Sequence, residues 1–137
     1  MSVVKDLLQV ESDGTISFGN YELDAKQKLS DFEYQGDIYK VKTYADITKL
    51  ERNETFVYES VPGTAVNHFK VGDGFVEFTV EGIQDAQITL QMQEDSEYSV
   101  LVNGEDAGKM QTNLSGKLVI SVELEASKPV SIRVESK

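Results

Sequence analysis

An alternation of apolar and polar residues between Tyr98 and Leu124 limits the fold of this chain more than any other feature of its sequence. The side chains of a β-strand point alternately to its two faces, so a period of two places every apolar side chain on one face of a sheet. A turn signal, Asn103-Gly104, divides the stretch. The residues that recur at every second position are Tyr98, Val100 and Val102, and then Leu118, Ile120, Val122 and Leu124. The stretch therefore predicts half-buried strands that pack on a shared core.

The same period of two recurs along most of the chain. Further runs with this period begin at Leu8, Ile16, Phe32, Tyr39, Val76, Ile88 and Val130. Roughly ten strands, separated by turn signals about every 8 to 12 residues, are typical of a β-sandwich or a barrel. We therefore expect an all-β protein with the architecture of an antiparallel β-sandwich.

Two turn signals near the N-terminus predict a three-stranded meander. A loop at Ser12-Asp13-Gly14, with its glycine in the left-handed conformation, brings two apolar faces together. This register pairs Val10 with Ile16 and Leu8 with Phe18. A type II′ turn at Gly19-Asn20 would then place Phe18 opposite Tyr21 and Ile16 opposite Leu23.

The segment Tyr44–Asn53 is compatible with either a strand or a short helix. Tyr44, Ile47 and Leu50 have helical spacing, whereas the β-branched residues Ile47 and Thr48 favour a strand slightly. The sequence leaves both alternatives open. Asn53-Glu54, which closes the segment, predicts a hairpin turn.

The strongest turn signal in the chain is Pro62-Gly63. Proline fixes its own φ angle and lacks a backbone N–H donor, while glycine permits a sharp turn. We predict a boundary there between an N-terminal β-meander lobe, residues 1–62, and a C-terminal β-sandwich lobe, residues 63–137, packed on or beside each other. One extended sandwich is the alternative.

The balance of charges limits the partners of the protein. Thirteen basic residues stand against 24 acidic ones, which gives a formal net charge of −11. Such a field repels phosphate backbones and anionic lipid surfaces, so we expect neither nucleic acid nor a membrane as a partner. No run of roughly 18 to 20 apolar residues could span a bilayer, and no secretory signal is visible, so we expect a cytoplasmic location.

The residues that most often carry catalysis are scarce. The chain has no cysteine and one histidine, His68, and it contains no Gly-x-Ser-x-Gly motif. Thiol catalysis, cysteine-rich zinc sites and hydroxyl–histidine constellations therefore lack necessary parts. We expect a structural or solvent-facing role for His68 and expect that the protein is not an enzyme. The alternative is a small carbohydrate-active hydrolase that uses a pair of carboxylates.

Four tyrosines are the candidate contact residues, because each combines a flat apolar ring with a polar tip suited to sugars or to protein interfaces. They are Tyr34, Tyr39, Tyr44 and Tyr58. The alternative is that these rings cover the edge of the core.

Two acidic clusters in predicted loops are candidate calcium ligands, because calcium prefers hard oxygen donors. They consist of Glu94, Asp95 and Glu97, and of Glu105 and Asp106. The hypothesis requires both loops to lie at one end of the sandwich. No other cofactor is expected.

Part of the chain resembles a known kind of module. Residues Gly74–Ser136, with the turn Val102-Asn103-Gly104, the loop Asn113–Gly116 and the strand Leu118–Leu124, resemble immunoglobulin-like sandwich modules of bacterial extracellular and carbohydrate-active proteins. This resemblance implies an immunoglobulin-like fold for the C-terminal lobe.

The whole chain also resembles a small set of short acidic bacterial proteins of clostridial type, some of which carry an endosialidase label. The runs that carry this resemblance are Tyr39–Thr43, Phe56–Thr64 and Thr112–Leu118. It implies no catalytic residue. We therefore predict a non-catalytic binding or assembly module that contacts a protein or a carbohydrate through a tyrosine-bearing β surface. A structural homo-oligomer that associates through unpaired strand edges is a further alternative.

Overall fold

The computed structural model describes residues 3–136, and within them it contains thirteen β-strands and no helix. The strands are β1 (Leu8–Val10), β2 (Ile16–Phe18), β3 (Gln27–Tyr34), β4 (Asp37–Tyr44), β5 (Ile47–Arg52), β6 (Thr55–Val61), β7 (Ala65–Gly72), β8 (Phe75–Glu81), β9 (Ala86–Gln91), β10 (Glu97–Val102), β11 (Glu105–Gln111), β12 (Lys117–Val122) and β13 (Val130–Ser136).

These strands form two antiparallel sheets that pack together as a sandwich. The seven-stranded sheet has the order β1-β2-β7-β8-β13-β10-β11, and the six-stranded sheet has the order β12-β9-β6-β5-β4-β3. The prediction of an all-β antiparallel sandwich is confirmed.

The core lies between the sheets and is built by the predicted alternation. In β12 the even-numbered residues Leu118, Ile120 and Val122 are buried, whereas the odd-numbered residues of the same strand are exposed. Aromatic rings fill the centre of the core. The ring of Tyr58 packs edge-to-face on Phe18, with centroids 5.2 Å apart, and on Phe78 at 5.6 Å. Edge-to-face contacts are favourable because the positive rim of one ring meets the negative face of the other.

The first predicted hairpin is confirmed in its register. Val10 pairs with Ile16, Leu8 pairs with Phe18, and Gly14 has a φ angle of +88°. Two apolar faces and a glycine at the tip were sufficient to fix this local pairing.

The second predicted hairpin is wrong. Phe18 pairs with Val66 of β7 instead of Tyr21, and the strand ends at Phe18. At Asn20 the backbone N–H donates to the buried Thr43 hydroxyl, 2.9 Å away, which ties the segment to the six-stranded sheet. Because every residue of β2 is buried, the strand needs a long-range partner that covers it, and β7 supplies one.

The segment Tyr44–Asn53, which is compatible with a helix or a strand in the sequence, contains no helix: Tyr44 ends β4, and Ile47–Arg52 form β5. Strand β5 is followed by a two-residue turn at Asn53 and Glu54, whose φ angles are +51° and +70°. Positive φ angles at both central residues are the mark of a type I′ hairpin turn, whose twist matches that of the flanking strands.

At Pro62-Gly63 the chain crosses from β6 in the six-stranded sheet to β7 in the seven-stranded sheet. Strands from both sides of this point occur in both sheets, since β2 pairs with β7 and β6 pairs with β9. One core cluster likewise contains residues from both sides. Hydroxyl groups satisfy the buried crossing: Thr48 Oγ1 donates to the carbonyl of Thr64, 2.8 Å away.

Candidate functional site

A cleft of about 520 Å³ opens at one end of the sandwich. It lies where the loop between β1 and β2 meets the tip of the β3–β4 hairpin and the irregular part of β7, so both sheets contribute side chains. We call it the end cleft. The residues that line it are Asp13, Gly14, Thr15, Ile16, Tyr34, Gln35, Asp37, Tyr39, Arg52, His68, Phe69, Lys70, Val71 and Glu77.

An irregularity in β7 places His68 at this cleft. The register of β7 against β8 shifts between Asn67 and Lys70, and His68 has a φ angle of +56°. Left-handed backbone is rare for residues other than glycine, and bulges that contain it turn a side chain out of the regular ladder. The backbone N–H of His68 donates to the buried hydroxyl of Ser17, 3.1 Å away, which holds the bulge in place.

The imidazole of His68 joins a cluster with Asp13 and Thr15. Its Nδ1 lies 3.0 Å from Asp13 Oδ2 and 3.2 Å from Thr15 Oγ1. Thr15 also donates to Asp13 Oδ1 from its hydroxyl at 2.5 Å and from its N–H at 3.0 Å. These two bonds from Thr15, and the nearby His68, hold the pKa of Asp13 below its ordinary value.

This cluster differs from a hydrolytic triad. In such a triad the carboxylate and the nucleophile contact opposite ring nitrogens, so that the second nitrogen can take the proton of the nucleophile. Here Asp13 and Thr15 both contact Nδ1. The arrangement therefore orients the imidazole and leaves Thr15 without the geometry of an activated nucleophile.

Two tyrosines of the six-stranded sheet also form a wall of the end cleft. Tyr34 donates a hydrogen bond from its hydroxyl to the carbonyl of Gly14, which links β3 to the first hairpin. Its ring packs edge-to-face on that of Tyr39, with centroids 5.7 Å apart. Burial raises the pKa of Tyr39, and the Arg52 side chain lies beside its phenol. The wall thus combines aromatic surface with a guanidinium group.

The other two candidate tyrosines lie elsewhere. Tyr58 is fully buried and has no exposed surface with which to contact a partner, so it is a core residue. Tyr44 lies at the end of β4 away from the end cleft. The negative charge of the nearby Asp46 raises the pKa of Tyr44. The structure therefore brings together Tyr34 and Tyr39 but does not form one surface from all four tyrosines.

The two acidic clusters do not meet. In the β10–β11 hairpin Glu97 pairs with Gln111 and Val102 pairs with Glu105, so Glu94, Asp95 and Glu97 lie at one end of the hairpin and Glu105 and Asp106 at the other. The length of β10 separates them by about 17 Å. Across residues 3–136 no group of three or more His, Cys, Asp or Glu side chains is arranged to hold a metal ion. The expectation that these loops share one end of the sandwich is wrong, because Glu105 and Asp106 begin a strand that runs back along β10.

A row of lysines crosses the outer face of the six-stranded sheet. Lys28 is paired with Lys42, and Lys42 with Lys49, in the register of β3, β4 and β5. We call these three residues the lysine row. Like charges directly opposite each other destabilise a sheet. Burial and the neighbouring lysines lower the pKa of Lys42. Among the described residues no ion pair joins Lys42 to a carboxylate, whereas Lys49 lies 3.6 Å from Glu51.

Most of the residues that line the end cleft carry no functional signal in the sequence. The sequence indicates Asp13 only as part of a turn and contains Arg52 only within the ambiguous segment Tyr44–Asn53. His68 was noted as the single histidine, but its two partners lie more than fifty positions away in the chain. A usable signal was present, since Asp13 precedes Thr15 by two residues and such spacing favours local side-chain hydrogen bonds in turns.

No protein-family model, curated protein or solved structure matches this chain. No helix long and apolar enough to cross a membrane occurs in residues 3–136.

Proposed function

We propose that the protein is a non-catalytic carbohydrate-binding module whose ligand occupies the end cleft. The observation that carries this proposal is the convergence in one cleft of two tyrosine rings with charged and hydrogen-bonding side chains from both sheets. A volume of about 520 Å³ lies within the range of about 300 to 1,000 Å³ that small-molecule pockets usually have.

The chemistry of the lining suits a sugar. A pyranose ring has apolar C–H faces that pack on aromatic rings, and its hydroxyl groups pair with charged donors and acceptors. Tyr34 supplies the exposed aromatic surface, and the ring of Tyr39, a residue that is only 7% exposed, packs against it. Arg52, His68 and Asp37 supply donors and an acceptor. Because Asp13 and Thr15 already orient the imidazole, His68 can bind a hydroxyl group without much loss of side-chain entropy.

One observation favours binding over hydrolysis by Asp13. A glycosidase needs a carboxyl group with a raised pKa as general acid. The pKa of Asp13 is instead lowered by the hydrogen bonds that it accepts from Thr15.

A glycan array followed by calorimetry on the retained sugars tests this proposal. We expect that Tyr34→Ala weakens binding at least about tenfold, since stacking and the order of the cleft wall are both lost. Tyr44→Ala is the matched control, because it removes a tyrosine of the same sheet that lies outside the cleft. Equal loss in both variants, or no retained sugar at all, would contradict the proposal.

An assay for reducing ends on the same sugars distinguishes the hydrolase alternative. A binding module leaves the sugars intact. If sugars are cleaved, and Asp13→Asn or Glu77→Gln abolishes the cleavage, the protein is an enzyme and the proposal is wrong.

The lysine row supports a second candidate function, the recognition of acidic sugars on the outer face of the six-stranded sheet. Three aligned ammonium groups, with the side chain of Lys40 beside them, border a depression of about 50 Å³. If this surface binds, carboxylated or sulfated glycans will be retained on the array and released by salt. Lys42→Gln will weaken that retention, and Lys117→Gln, on another strand of the same sheet, will not.

The finer expectations from the sequence support this reading and stay predictions. Immunoglobulin-like modules and the short clostridial-type proteins both include chains associated with carbohydrates. A cytoplasmic location also stays a prediction, as does the binding of calcium.

A further inference from the structure

The two sheets end in four edge strands, and three of them carry features that discourage further pairing. Strand β1 has only three residues. Strand β3 is irregular against β4, with Asp31 at a φ angle of +60°, and strand β11 contains Gly108 at +107° opposite an irregularity in β10. Short length, bulges and charges are the usual means by which natural proteins protect exposed edges.

The fourth edge strand, β12, has neither a bulge nor a short length, and its one charged residue, Lys117, stands at its first position, where the loop residue Asn113 bonds its backbone groups. All six of its residues pair with β9 in one uninterrupted register, and it contains neither glycine nor proline. Its side chains alternate strictly between exposed and buried. Val119, at the middle of the strand, is 45% exposed, and Leu114, in the loop that leads into it, is 82% exposed.

The hydrogen bonds beside β12 indicate which of its backbone groups face outward. Met92, which follows β9, donates from its N–H to the carbonyl of Gly116, at 2.7 Å. The backbone N–H and C=O groups of the even-numbered residues of β12 therefore point toward β9. The backbone N–H of Lys117 points away from β9, because it donates to Asn113 Oδ1 at 3.0 Å. Successive residues of an antiparallel strand alternate in this respect, so the N–H and C=O groups of Val119 and Ser121 point away from the sheet.

The sequence of this strand is complementary to itself when a second copy runs antiparallel to it. If two copies meet about Ile120, Val119 of each lies opposite Ser121 of the other, and their outward backbone groups form paired hydrogen bonds. Lys117 of each copy then lies opposite Glu123 of the other, on the exposed face. Both ends of the contact therefore carry a pair of opposite charges.

We propose that two copies of this protein associate through β12 edges in antiparallel register about Ile120, which joins two six-stranded sheets into one twelve-stranded sheet. The contact is isologous, as in most homodimers, and it uses the same residues from both copies. It is independent of the end cleft, to which β12 contributes no side chain.

Charge exchange tests this register by sedimentation equilibrium or light scattering across protein concentrations. Lys117→Glu and Glu123→Lys should each weaken the dimer about tenfold, because each creates two like-charge pairs. The double variant, K117E with E123K, should restore the association of the original protein. Lys109→Glu, on the edge strand β11, is the matched control and should leave the dimer unchanged.

The two single variants also separate this contact from a general effect of net charge. Glu123→Lys makes the protein less negative, so it would strengthen an association opposed only by overall repulsion. Our register predicts instead that it weakens the dimer. A monomeric mass at every concentration, a stronger dimer in E123K, or a double variant that fails to recover would overturn the proposal.

Proline at position 121 provides a second test that does not depend on charge. The N–H of Ser121 faces the open edge, so Ser121→Pro leaves the bonds to β9 intact and removes a donor needed only between copies. We expect a folded monomer with an unchanged circular dichroism spectrum. A dimer of unchanged strength in S121P would show that another surface is used.

Discussion

The phenol of Tyr58 is a polar group enclosed by aromatic rings at the centre of the sandwich. It is fully buried, and its hydroxyl is hydrogen-bonded to that of Thr64 at 2.8 Å. Burial raises its pKa well above the ordinary value of 10.0, because the charged phenolate is poorly solvated there. A tyrosine that looks like a contact residue in the sequence therefore makes the stability of the fold sensitive to alkaline pH.

This burial predicts a pH dependence. The folded protein holds the Tyr58 proton more tightly than the unfolded chain does, so the stabilisation is complete below the unfolded pKa of 10.0 and is lost as the pH rises above it. We expect that the free energy of unfolding falls less between about pH 8 and pH 11 in Tyr58→Phe than in the original protein. Urea denaturation at both pH values measures this. An equal fall in both proteins would contradict the prediction.

Two glycines with similar φ angles provide a matched comparison at the residue scale. Gly14 and Gly19 have φ angles of +88° and +98°, but only Gly19 is enclosed, since a Cβ there would lie 2.5 Å from the carbonyl oxygen of Thr64. We expect that Gly14→Ala lowers the free energy of unfolding by about 1 kcal/mol through left-handed strain. Gly19→Ala should lower it by about 3 kcal/mol or more, because the backbone must also move. Equal losses, measured by urea denaturation, would show that β2 is less constrained than its packing indicates.

At the scale of elements, turn residues decide which strands pair in some hairpins, and long-range strand pairing decides in others. The β1–β2 and β5–β6 hairpins have turn residues that fix their geometry, and the sequence predicted both turns. After β2 the Gly19-Asn20 turn signal was overridden, because β2, whose three residues are all buried, pairs with β7 instead. A local signal therefore fails where a strand must be covered from both sides.

The lysine row predicts a stabilising substitution in the six-stranded sheet. Lys42 lies between two other lysines, so Lys42→Thr removes two like-charge contacts and adds a β-branched residue. We expect the free energy of unfolding to rise by about 0.5 kcal/mol in dilute buffer and by less in concentrated salt.

The matched control is Lys40→Thr, because Lys40 lies opposite Glu51. It should give no such gain. If both substitutions stabilise equally, strand propensity is responsible and the repulsion within the lysine row is not.

At the scale of the whole molecule, each half of the chain contributes strands to both sheets, and neither half completes either sheet. Residues 1–62 provide β1 and β2 to one sheet and β3 to β6 to the other, and residues 63–137 complete both sheets. The crossing at Pro62-Gly63 therefore connects two layers of one sandwich. The end cleft is likewise formed by residues from both sides of this point.

This topology predicts that the halves do not fold separately. Expressed alone, residues 1–62 and residues 63–137 should each lack cooperative thermal unfolding, because each would leave an apolar sheet face uncovered. Circular dichroism melts and amide proton spectra measure this, with the full chain as the control. A cooperative transition in either half would show that the boundary separates independent domains.

The sequence by itself determined the strands and many of the turns, because side-chain alternation and turn residues act between near neighbours in the chain. It did not determine that Phe18 pairs with Val66, nor that Asp13 meets His68. Those contacts depend on which strands pair and which sheet faces pack together. Because every strand has the same period of two, many different strand pairings fit the sequence pattern equally well. The end cleft was for this reason decided by the tertiary structure alone.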